Sequence, residues 1–148
     1  MIAIDTNILV YSERTDSIWL KAAEHALQEL AESSAPWAIP WPCIHEFFSI
    51  VTHPGIWKTP TPPPQALRQI AHWMESPALV LLTEGPGYWA ELQDLLHASR
   101  VAGPQVHDAR IAAICREHGV STLWSADRDF SRFSGLKIVN PLLRRRTS

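Results

Sequence analysis

Ile2-Ala3-Ile4-Asp5-Thr6-Asn7 sets three apolar residues directly before three polar ones. The apolar triplet reads as a short buried strand, and Asp, Thr and Asn suit a strand-to-helix turn. The same alternation continues along the chain. Ile18 to Leu30 shows helical spacing in Ala22, Ala23, Ala26, Leu27 and Leu30, Trp37-Ala38-Ile39 reads as a second strand, and Pro42 opens a helix through about Thr52. Thr59 to Pro64 is a stiff proline-rich connector, followed by a helix from Gln65 to Glu75 and a strand at Leu79–Leu82. Gly85-Pro86-Gly87 breaks the chain before a helix from Tyr88 to about Ser99, and Gly103-Pro104 starts another that ends near His118-Gly119. Ser121–Trp124 and Lys137–Val139 read as the fourth and fifth strands. Short apolar strands alternating with helices predict an α/β fold with a parallel sheet covered on both faces. In such sheets ligands bind beyond the carboxyl ends of the strands. Asp5 directly follows the first strand and Asp127 comes just after the fourth.

With 148 residues, 46% hydrophobic and 19% charged, the chain fits one globular domain spanning 1–148, and it carries no internal repeat. No apolar run approaches the ~20 residues of a membrane span. The first residues lack the basic and apolar regions of a secretory signal. Cys43 and Cys115 form no CxxC pair and fall on the apolar sides of helices, which predicts buried reduced thiols and a cytoplasmic protein. Net charge is -2, but residues 1–99 hold 4 Lys/Arg against 11 Asp/Glu whereas residues 100–148 hold 9 against 4. One basic region for phosphates is thereby suggested.

Asp5, Glu46, Asp108 and Asp127 each lie beside or inside an apolar segment. A buried carboxylate is costly unless a cation holds it. Each also has a plainer reading. Asp5 can simply cap the helix beginning beside it. Glu46 sits among Cys43, Ile44, Phe47, Phe48, Ile50 and Val51 on a helix apolar almost all round, where it faces a solvent gap, takes up a proton, or pairs with a nearby Arg or with His45, although adjacent helical residues diverge. Asp108 is in register with Ile111, Ala112 and Cys115, near a helix N-terminus whose dipole contributes at most ~1–2 kcal/mol. In Ser125-Ala126-Asp127-Arg128-Asp129-Phe130, turn position assigns Asp127 to the site, Asp129 to a supporting or capping role and Ser125 to an orienting hydroxyl. If the four acids meet, the cheapest partner is a hard divalent cation such as Mg2+. No two histidines show zinc-ligand spacing, and neither a Gly-rich phosphate loop nor a nucleophile elbow is present. Trp41 and Trp57 are candidates for stacking on bases, although core packing is the commoner use of tryptophan.

Five segments, taken together, carry a resemblance over essentially the whole chain. They are Ile4-Asp5-Thr6-Asn7-Ile8-Leu9, Cys43-Ile44-His45-Glu46-Phe47-Phe48, His107-Asp108-Ala109-Arg110-Ile111-Ala112-Ala113, Ala126-Asp127-Arg128-Asp129-Phe130-Ser131-Arg132-Phe133 and Gly135-Leu136-Lys137-Ile138-Val139-Asn140-Pro141. Their pattern resembles the PIN-domain family, and within it the VapC-type toxin ribonucleases of type II toxin–antitoxin systems. Ser125 stands where that family usually has Thr, so the hydroxyl is retained. The resemblance implies a PIN-like three-layer α/β/α fold with a parallel, mostly five-stranded sheet flanked by helices, usually as a homodimer. It implies Mg2+ or Mn2+ at Asp5, Glu46, Asp108 and Asp127, with Asp5 and Asp108 the principal ligands and Asn7 and Ser125 orienting them. It further implies an RNA substrate, often tRNA or rRNA, and a cognate antitoxin whose C-terminal segment enters the active site. The expected reaction is hydrolysis of a phosphodiester by water activated at one or two ions, leaving a 3′-hydroxyl and a 5′-phosphate. Arg110, Arg128 and Arg132 are candidate phosphate contacts or ordinary surface arginines, and Arg144-Arg145-Arg146 belongs to a flexible basic tail (144–148) that touches RNA or merely solubilises. Two rivals stand beside this reading. One is an aspartyl-phosphate phosphatase or receiver-like domain using Asp5 as phosphoacceptor, against which Asn7, where a second acid is wanted, counts. The other is a non-catalytic PIN-fold binding module.

Overall fold

The computed structural model of the protein describes residues 1–143, and the expected basic tail at 144–148 lies outside the described residues. Strands β1 (Ile2–Ile4), β2 (Trp37–Pro40), β3 (Leu79–Leu82), β4 (Thr122–Trp124) and β5 (Lys137–Val139) form one parallel sheet in the order β3-β2-β1-β4-β5. The first strand of the chain is therefore the central one, and Ala3 pairs with Ala38 of β2 on one side and Leu123 of β4 on the other. A parallel strand covered on both faces needs apolar residues at successive positions. Ala3 and Ile4 are accordingly buried, whereas Val80 on the edge strand β3 is exposed.

Helices α1 (Thr6–Glu13), α2 (Leu20–Glu32), α3 (Trp41–Val51), α4 (Pro63–Met74), α5 (Tyr88–Ser99) and α6 (Val106–Glu117) flank the sheet in a three-layer α/β/α arrangement. α1 packs on α2 and α3, and α5 on α6. Two helix starts differ from expectation. α4 begins at Pro63 rather than Gln65, because a first helical turn needs no partner for its N–H groups and prolines fit there. Conversely Gly103-Pro104 forms a 3-10 turn (Gly103–Gln105), and α6 proper starts at Val106. Among the described residues no helix is long and apolar enough to cross a membrane.

The core joins Phe47 of α3 to Trp73 of α4, ring edge against face with centroids 4.8 Å apart. Cys43 and Cys115 are free and buried, as expected. Burial, reinforced by the Asp5 charge, pushes the Cys115 thiol up to about 12 and the Cys43 thiol well above its ordinary range. Arg14, only 7% exposed, was not foreseen. It binds Asp16, donates to the Thr59 carbonyl at 2.9 Å and Thr61 Oγ1 at 3.2 Å, and lies 4.1 Å over the Trp57 ring, tying the end of α1 to the proline connector. The Trp57 indole N–H donates to the Ile50 carbonyl, so this ring is engaged within the protein. Trp41 is half-buried and stacks beside His45 on α3.

Candidate active site

β1 and β4 are neighbours, so the turns that follow them lie side by side. The Asp5 N–H donates to the Trp124 carbonyl at 2.9 Å, and the Ser125 N–H to the Val139 carbonyl at 3.0 Å. Asp5 caps α1, as its plainer reading required, with Oδ1 accepting from the Thr6 N–H at 2.8 Å. Capping is only part of its environment. Oδ2 accepts from the Ser125 hydroxyl at 2.7 Å and from Asn7 Nδ2 at 3.3 Å, and the Cys43 thiol lies 3.8 Å from Oδ1. Asn7 also donates to Ser125 Oγ at 3.3 Å and accepts from the Ala126 N–H at 3.0 Å, stitching the two turns together.

The other acids reach this place from separate elements. Glu46, half-buried on α3, accepts a hydrogen bond from the Thr6 hydroxyl at 3.0 Å. His45 is not its partner: it is exposed, because adjacent helical residues diverge by roughly 100°. Asp108 occupies the first turn of α6, half-buried, with Ile111, Ala112 and Cys115 buried behind it. Asp127 follows Ser125, whose Oγ accepts from the Asp127 N–H at 3.0 Å. Its own Oδ1 accepts from the Asp129 N–H at 2.8 Å, so Asp127 is the cap of the 3-10 turn Arg128–Arg132. Asp129 is therefore not a capping residue. It is exposed and lies 3.6 Å from Arg132.

Electrostatically these acids act on one another. Burial pushes the Asp5 carboxyl up from its ordinary 3.8 to about 6, the charges of Glu46 and Asp108 push the same way, and the bonds from Ser125 and Thr6 oppose them. Asp108 is raised by burial and then by Asp127 and Glu46, with Arg132 opposing. Among the described residues none of the four acids is in an ion pair. Arg110 is held by Glu84 at 3.1 Å and Arg132 by Asp129, whereas Arg128 is exposed with no ion pair among the described residues.

Among the described residues no three His, Cys, Asp or Glu side chains are close enough to form a ready-made metal cage. The donor set nevertheless fits a hard divalent cation. It consists of carboxylate oxygens and hydroxyls, and Glu46 Oε1 and both oxygens of Asp108 accept no hydrogen bond among the described residues. Acids that repel one another without a cation draw together around one. Thr6 and Cys43 were not singled out from the sequence as site residues. The available signal was position, since Thr6 adjoins Asp5 and Cys43 stands one helical turn before Glu46.

A PIN-domain family model matches residues 2–136. Ribonuclease VapC43 of Mycobacterium tuberculosis is 31% identical over 147 residues, covering 96% of this chain and 96% of its own. Two solved structures share the fold. VapC20 of Mycobacterium tuberculosis, a sarcin-ricin loop cleaving toxin, has a TM-score of 0.65 at 14% identity, covering 92% of this chain and 98% of that one. A toxin–antitoxin complex from Klebsiella pneumoniae has a TM-score of 0.60 at 18% identity, covering 95% and 98%. The five-stranded parallel sheet flanked by helices thus matches the fold of these toxin structures. The chain belongs to the PIN-domain family and, within it, to the VapC group.

Proposed function

We propose that this protein is a divalent-metal-dependent endoribonuclease, the toxin of a type II toxin–antitoxin pair. One observation carries the reading: Asp5, Glu46, Asp108 and Asp127 come from four separate segments into one electrostatic neighbourhood, and no cation pairs with them among the described residues. Uncompensated clustered acids cost stability, and groups perturbed in this way concentrate at functional sites.

Mg2+ or Mn2+ would be held by Asp5 and Asp108, with Glu46 and Asp127 completing the set or acting through water. Such an ion, when bound, supplies charge stabilisation at the phosphate and lowers the pKa of water. The chain's own residues supply orientation. Ser125 and Asn7 hold the Asp5 carboxylate in one rotamer. Arg128 is free to receive a phosphate oxygen, whereas Arg110 and Arg132 must first leave Glu84 and Asp129. Hydrolysis would leave a 3′-hydroxyl and a 5′-phosphate. This chemistry needs no 2′-hydroxyl, so restriction to RNA would arise in binding.

VapC43, a ribonuclease, and VapC20, which cleaves the sarcin-ricin loop, support a structured RNA, tRNA or rRNA, as substrate. The Klebsiella complex supports a cognate antitoxin as partner. A cytoplasmic homodimer, each copy one PIN domain over residues 1–148, completes the reading. A phosphoacceptor role for Asp5 is disfavoured, because Asn7 stands where a second acid is wanted.

Purified Asp5→Asn and Asp108→Asn, assayed on RNA with Mg2+, should each lose activity by on the order of 100-fold or more, as happens when a preorganised electrostatic group is removed. Cleavage retained by both variants refutes the proposal.

A further inference from the structure

Resting on that reading of the site, we infer that Thr6 is a positioning residue for Glu46. Thr6 is the first residue of α1 and is buried, 6% exposed. Its N–H donates to Asp5 Oδ1 at 2.8 Å while its hydroxyl donates to Glu46 Oε2 at 3.0 Å. One residue, through its backbone N–H and its hydroxyl, therefore links acids supplied by two different segments, the turn after β1 and helix α3. A hydroxyl carries a single proton. Spent on Oε2, it fixes the Glu46 carboxylate and leaves Oε1 without a hydrogen-bond partner among the described residues. Cys43, on the preceding turn of α3, borders both the Thr6 side chain and Glu46, but its thiol donates to Asp5 Oδ1 at 3.8 Å, which leaves the Thr6 hydroxyl as the donor to Glu46.

The bond is needed because little else keeps Glu46 inward. Its charge repels those of both Asp5 and Asp108, and no ion pair to Glu46 exists among the described residues. Its side chain is half-exposed, so water is available outward. Without the Thr6 proton, repulsion and hydration both favour a rotamer turned away from the site.

Valine has the shape of threonine without the hydroxyl and a similar helix propensity, which makes Thr6→Val the informative variant and Thr6→Ser its control. Mn2+ affinity is measured by titration calorimetry, with no RNA present, and Thr6→Val is also crystallised without metal. Loss of an orienting partner of a metal ligand weakens binding by about 10–100-fold. Thr6→Val is expected to fall in that range, and Thr6→Ser to bind as the wild type does. In the metal-free crystal of Thr6→Val, Glu46 should have left its place beside residue 6. Wild-type affinity in Thr6→Val, failure of Thr6→Ser to restore binding, or an unmoved Glu46 would each overturn the inference. If the wild type itself bound no Mn2+ and both Asp5→Asn and Asp108→Asn still cleaved RNA, the reading of these acids as the metal site would fall; the position of Glu46 in the Thr6→Val crystal would still decide the role of Thr6.

Discussion

Asp5 is held where its own charge is unwelcome, and that has a measurable consequence. Folded, the carboxyl keeps its proton up to about pH 6, whereas its ordinary value is 3.8. Between those values the folded chain binds more protons than the unfolded one, so stability falls with rising pH. The contribution is fully present below the unfolded value and gone above the folded one. A shift of this size corresponds to about 3 kcal/mol. Thermal melts in a chelating buffer should therefore show the wild type losing stability relative to Asp5→Asn as pH rises from about 4 to about 7. Parallel pH profiles for the two proteins would show that Asp5 does not carry this cost. Adding Mn2+ above pH 7 should return the lost stability to the wild type alone, because the ion binds the ionised carboxylate. The four acids were legible in the sequence because a lone carboxylate in an apolar segment is conspicuous. Thr6 was not, because its partner stands 40 residues away and the bond is purely tertiary.

Among the elements, α6 does two separate things. Its first turn carries Asp108, and its last residue, Glu117, grips the turn between β3 and α5. Glu117 Oε1 accepts from the Gly85 N–H and Oε2 from the Gly87 N–H, each at 2.8 Å. A Cβ at position 85 would lie 2.6 Å from Oε2, so a larger residue there would push the Glu117 carboxylate away from the turn. Gly85-Pro86-Gly87 was legible as a break in the chain, but which side chain it receives was not. Glu117→Ala removes two hydrogen bonds to a carboxylate, one of them at an exposed N–H, and should cost about 1 kcal/mol, seen as a lower melting temperature. Because Glu117 stands at the opposite end of α6 from Asp108, Mn2+ affinity should remain at the wild-type level, and a loss of binding equal to that of Asp108→Asn would contradict this division. Element boundaries were missed where proline and glycine trade roles, as at Pro63 and Gly103, since both residues suit a turn and a first helical turn alike.

At the scale of the whole molecule, five strands and their parallel sense were legible from apolar triplets separated by helices. Their order was not, because nothing local tells β1 that β2 and β4 will flank it. The Arg14 clamp escaped for the same reason: its partners Thr59 and Thr61 are joined to it only by the fold. The core that enforces this order is continuous through Phe47, which is wholly buried against Trp73. Phe47→Ala should cost ~3–5 kcal/mol by leaving a cavity between α3 and α4. The measure is the midpoint of urea unfolding, and a cost under ~1 kcal/mol would mean that this contact does not hold the layers together.

The strand order also sets when the site comes into being. Asp5 leaves the ribosome well before its partners, and β4 has to pair with the free edge of β1 before Ser125 can reach it. A nascent chain short of that point has a first strand and its acid but no partner turn, hence no working centre. On the proposed function, the ribosome making this protein is not exposed to it until β4 has paired with β1, and activity arrives as a single step that an inhibitor already in place can meet.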